Sequence, residues 1–222
     1  MTKDHDEIPR EQSRSFDRLV NFTDAVVAIA ITLQLLPLVD VEAPVSGQTV
    51  WQVIAENFSH ISAFIISFAV VMVLWFKHNR VFNVMRTYDG MILWLNSAWL
   101  LCIVFLPWPT AMYGMANDAG LLGNTGFGLL YWWNMAAISG LGLLIARHAW
   151  RTPHLLEPGV NNRNPKHYSF TRVRGISIFL YLIVIGLVSQ YLPAISNYLA
   201  VGLILISIVL RTPKAAQSGL LP

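Results

Sequence analysis

The chain has 222 residues, of which 55% are hydrophobic and only 12% charged, with a net charge of +3 and a mean hydropathy of +0.53. Those values exclude an ordinary soluble domain and describe an all-α integral membrane protein. The basic residues form no stripe with interleaved aromatics, so no nucleic-acid partner is expected. The single cysteine, Cys102, lies in an apolar run and has no intrachain disulfide partner.

Residues 1–17 mix both charge signs and read as a cytoplasmic N-terminal arm. The first apolar run is too long for a signal peptide and lacks a small-residue cleavage site, so it is expected to remain in the protein. It opens at RLVNFTDAVVAIAITLQLL, from Arg18 to Leu36, and predicts a helix over about 18–39. At about 100° per residue, Arg18, Phe22, Ile29, Leu33 and Leu36 share one stripe, with Ala25 and Thr32 at its edges. Asp24 points the opposite way, and a carboxylate at that depth requires a buried partner. Two readings of the stripe stand open: a lipid-facing or core stripe, or the lining of a pore in a symmetric assembly.

The following segment to Asn57 has no Lys or Arg and reads as a loop on the non-cytoplasmic side. A second helix is predicted over about 58–82, ending in WFKHNR, and a basic connection through Arg86 leads to Asp89. The third, about 90–112, carries Asn96 and the kinking residues Pro107 and Pro109. A Gly-rich turn with Asp118 leads to a fourth helix over about 125–147. A long polar stretch over Arg147–Arg174, with Pro153, Pro158, Pro165 and six basic residues, leads into helices over about 172–191 and 195–210, which are joined at Pro193. Residues 212–222 form the tail, and the membrane domain occupies 18–211. All 15 Lys and Arg fall in the arm, the second-to-third connection, the fourth-to-fifth loop, the tail or the helix ends that flank them, and the three intervening loops have none. By the positive-inside rule both termini of this six-helix subunit are cytoplasmic.

Catalytic apparatus is missing from this reading. The six histidines lack the paired spacing of a zinc helix or the matched depths of a haem site. No phosphate loop or nucleophile elbow is present, so neither enzyme activity nor a cofactor is expected. The polar residues near the membrane instead collect at one depth: Arg18, Thr23 and Asp24 on the first helix, His78 on the second, Asp89 and Asn96 at the start of the third. They suit a latch that fixes the first helix against its neighbours, or a proton-sensitive gate built on His78. Asp40, Glu42, Glu56 and Asp118 sit opposite, without a cation. They suit an acidic vestibule, or follow simply from excluding Lys and Arg from outer loops.

The motif R-x-x-x-F-[ST]-D at Arg18, Phe22, Thr23 and Asp24 resembles that of the transmembrane protein 175 potassium channels in their bacterial single-repeat form. Thr23 stands where serine is usual and keeps the hydroxyl. The resemblance continues through AIAITL, Trp75 and His78 in LWFKHN, Asp89, Leu95 and Asn96 in DGMILWLN, and FLPWP. It implies a homotetramer in the cell membrane, the inner membrane of a bacterium, whose first helices line a central pore without a TVGYG filter. It implies an aliphatic constriction at Ile29, Leu33 and Leu36, with Thr32 as a hydroxyl layer contributing to selectivity. Monovalent cations are the expected partners, with potassium along the pore axis on ligands that are not identified. An aliphatic neck offers no oxygen to replace water, so it is expected to pass a largely hydrated ion and to prefer potassium only modestly. The competing readings are a proton- or cation-coupled secondary transporter and a non-transporting membrane scaffold.

Overall fold

The computed structural model describes residues 10–39, 44–160, 165–196, 198–199 and 202, and every described segment of regular structure is helical. In chain order these are α1 (Arg10–Leu33), α2 (Leu36–Val39), α3 (Val50–Glu56), α4 (Phe58–Phe82), α5 (Gly90–Phe105), α6 (Pro107–Asp118), α7 (Phe127–Arg151), a 3-10 turn (Pro153–Leu155) and α8 (Pro165–Tyr191). Most of the predicted sixth helix, the tail and residues 1–9 of the arm lie outside the described residues.

Three stretches are long and apolar enough to cross a bilayer: His60–Phe82, Gly90–Asn117 and Phe127–Arg151. The shorter Gly175–Tyr191 segment of α8 is also apolar. The protein is therefore a multi-pass membrane protein. α5 and α6 make one span with a break at Leu106, because Pro107 and Pro109 have no N–H to continue the ladder. Asp89 starts that span as its N-cap, its carboxylate accepting the Ile92 N–H at 2.8 Å.

α1 departs from its predicted limits at both ends. It begins at Arg10, so half of the expected arm is helix; Phe16 is buried there, stacked 6.0 Å from Phe82 and tilted against Tyr88 at 6.4 Å. It ends at Leu33, since Pro37 has no N–H to give that residue's carbonyl. The chain tightens instead into i→i+3 bonds, Gln34 N–H to Ile31 O and Leu35 N–H to Thr32 O, before α2.

α7 is the centre of the bundle and packs on α4, α5, α6 and α8. Its approach to α8 depends on small residues: a Cβ at Gly140 would lie 2.9 Å from the Phe179 ring, and one at Gly186 2.6 Å from Trp133. Ile92, Trp99, Ile103, Leu106, Met135 and Ile138 form the interior, against which α1 lays Val27 and Ala30.

Candidate functional site

α1, with the turn that carries it into α2, has two chemically distinct faces. Thr23, Val27, Ala30 and Gln34 are buried against the bundle, whereas Phe22, Ile29, Leu33 and Leu36 are exposed, Ile29 by 59% and Leu36 by 54%. Thr32 and Arg18 are exposed on the same outer side. The Thr32 hydroxyl donates to its own helix at Ile29 O, 2.7 Å away, which leaves its oxygen lone pairs facing out. The helical stripe expected from sequence is thus a real, uncovered surface of the single chain.

The inner face is held by a hydrogen-bonded relay whose polarity can be derived. The single proton of the Thr23 hydroxyl goes to Leu19 O at 2.8 Å, because a carbonyl can only accept. The Asn96 atom 2.8 Å from that hydroxyl must then be its amide nitrogen, donating. The Asn96 carbonyl oxygen therefore faces His78 Nε2 at 2.8 Å, and Nε2 carries the hydrogen. Both faces of the His78 ring are covered by aromatic rings, Trp99 at 4.1 Å and Phe82 at 4.3 Å between centroids. Beside this relay the Trp75 indole N–H donates to the Asp24 carboxylate at 2.8 Å, a charge-assisted bond linking α1 to α4.

Four of the six expected latch residues, Thr23, Asp24, His78 and Asn96, thus join α1 to α4 and α5. The other two do not enter it. Asp89 accepts from or pairs with His148 Nε2 at 2.7 Å, tying the start of α5 to the end of α7. Burial would raise its pKa, but the His148 hydrogen bond and the Ile92 N–H outweigh burial and hold the carboxyl below its ordinary range. Arg18 is exposed, with no hydrogen-bond or ion-pair partner among the described residues, because α1 turns it to the outer side with Phe22.

The sequence reading missed Trp99, which stacks on His78 from one turn beyond Asn96, and Phe82, one turn beyond His78 itself. An aromatic residue three or four positions from a polar buried one was the available signal. It also missed Gln34, 1% exposed, whose amide nitrogen and oxygen both lack a hydrogen-bond partner among the described residues. Among the described residues no three His, Cys, Asp or Glu side chains converge as metal ligands would.

The family model described as "Endosomal/lysosomal potassium channel TMEM175" matches residues 18–107, from the α1 motif to the Pro107 break. A protein named a potassium channel in Streptomyces collinus is 30% identical over 147 residues, 65% of this chain and 69% of its own length. The human protein named the endosomal/lysosomal proton channel TMEM175 is 29% identical over 156 residues; the match covers 70% of this chain but only 30% of that larger protein. A variant of the potassium channel MtTMEM175, crystallised with a nanobody–MBP fusion, shares the fold, with a TM-score of 0.54 over 94% of each chain at 17% identity. On these relationships and the matched motif, the chain belongs to the TMEM175 family.

Proposed function

We propose that this chain forms a potassium-preferring cation channel in which α1 from four copies surrounds a central pore. The observation that carries the reading is the two-faced α1: its inner side is hydrogen-bonded and packed into the bundle, and its outer side is an uncovered aliphatic stripe. Copies related by a rotation axis would bring those stripes together. Ile29, Leu33 and Leu36 would then make successive aliphatic rings at the neck, and Thr32 would offer hydroxyl oxygens beside them. Relatives named potassium channels support the choice of ion.

Six spans with both termini cytoplasmic complete the proposed subunit. Arg80, Arg86, Arg147 and Arg151 lie at one end of the bundle, where α4 and α7 terminate, and the connections at the opposite end, residues 44–49 and 119–126, contain no Lys or Arg. The relay through Thr23, Asn96 and His78 serves as a latch, since both faces of the imidazole are packed against rings.

A ring of isoleucines replaces none of an ion's water, so passage requires a neck wide enough to stay wet. Potassium gives up water more readily than sodium because of its lower charge density, and a modest preference follows. The reading is tested by the reversal potential of purified protein in planar bilayers with potassium on one side and sodium on the other, for wild type and Ile29→Asn. The expected result is a shift toward potassium in wild type and an altered conductance or selectivity in the variant. Absence of current from folded protein, or a current indifferent to Ile29, would refute it. Since animal relatives are named proton channels, the same recording under a pH gradient measures whether protons share the path.

A further inference from the structure

The segment between α2 and α4 contains an amphipathic element that takes no part in the latch or the neck. α3 begins with a capping box, in which the Thr49 hydroxyl accepts the Gln52 N–H while the Gln52 side chain accepts the Thr49 N–H at 2.7 Å. Its polar side is further closed on itself by the Gln48 amide, which donates to Glu56 at 2.6 Å. On the other side Val50 is 71% and Trp51 79% exposed, with Ile54 beside them and Phe58 following directly at the start of α4. On the helical wheel Val50, Trp51 and Ile54 fall within an arc of about 100°, and Gln52 and Glu56 fall in another.

We infer that α3 is an interfacial helix, lying at the membrane surface on the side opposite the basic end with Trp51 at headgroup depth. Three observations select lipid rather than water or protein as what covers the apolar face. The face carries a tryptophan, whose apolar ring and polar N–H suit the boundary between hydrocarbon and headgroup. It is continuous with a membrane-spanning surface: one residue, Asn57, separates α3 from α4, and Phe58 and Ile65 are exposed along α4 from its first turn. Finally, the opposite face keeps its side chains in hydrogen bonds among themselves, as a water-facing side permits.

The test uses the full chain in phosphatidylethanolamine–phosphatidylglycerol vesicles, with single nitroxide labels at Val50→Cys, Trp51→Cys, Ile54→Cys, Gln52→Cys and Glu56→Cys in a Cys102→Ser background. The first three positions should show an oxygen-to-nickel-chelate accessibility ratio severalfold above the last two, at a depth near the phosphates. Equal chelate access on both faces would overturn the proposal in favour of a solvated helix. Immobile labels inaccessible to both reagents would overturn it in favour of a contact with another copy. Should labelling unfold α3, native tryptophan fluorescence decides. The emission lost on Trp51→Phe should be quenched by brominated lipid, and unquenched emission would sink the idea.

Discussion

The two ends of α1 are built in opposite ways. At the basic end the helix is clamped: Phe16 stacks on Phe82, Ser15 bonds the Tyr88 hydroxyl at 2.9 Å, and Thr23 and Asp24 are each held by a side chain from a neighbouring helix. At the other end the regular helix stops at Leu33, Gln34 is buried with no hydrogen-bond partner for its amide among the described residues, and Leu33, Leu35 and Leu36 are exposed. The outer end is therefore held by the packing of Ala30 and Gln34, without a side-chain bond to a neighbouring helix among the described residues. In the channel reading the Leu33 and Leu36 rings lie at that end.

Breaking the clamp should have the largest effect. Asn96→Ala removes the donor to Thr23 and the acceptor from His78 and leaves a cavity between them, a loss of about 3–5 kcal/mol. A large fall in melting temperature in detergent, with loss of assembled protein, is the expected readout. Trp75→Phe keeps the ring packing but strips the N–H from Asp24, for about 1–3 kcal/mol. A double-mutant cycle with Asp24→Asn should show strong coupling between the two positions.

The outer end predicts the opposite sign. Gln34→Leu removes two unsatisfied polar atoms at nearly constant volume, so it should stabilise the fold by about 1–2 kcal/mol, raising the melting temperature by a few degrees. Destabilisation of similar size would mean that Gln34 has a partner in the assembled protein. The smallest effect belongs to the Asp89–His148 pair, about a third exposed and therefore worth at most about 1 kcal/mol. Because the folded-state pKa of Asp89 lies below its unfolded value, its contribution is present above about pH 4 and lost as pH falls through the lowered pKa. Stability of wild type and Asp89→Asn measured from pH 7 to pH 2 should converge at the acid end.

Part of this contrast was legible in the sequence. Apolar run length finds the three long apolar spans of α4, α5–α6 and α7, and the spacing of Phe22, Ile29 and Leu33 places them on one face because helical periodicity is local. Pro37 carried the stop at Leu33, though a hydropathy reading runs through it to Val39. Long-range pairings were not legible. Asp89 and His148 are joined only because α5 and α7 pack side by side, and His78 finds Trp99 only once α4 meets α5. The burial of Gln34 has the same origin: its neighbours along the chain are exposed leucines, and only the packing of α1 decides which of them turns inward.

In the proposed channel the outer face of α1, and not its inner face, lines the conduction path. Block of current by a thiol-reactive cation, applied to Ile29→Cys and Val27→Cys channels in a Cys102→Ser background, tests this directly. Rapid block at position 29 with none at the buried position 27 is the predicted result. Block at 27, or none at 29 in a channel that still conducts, would contradict it.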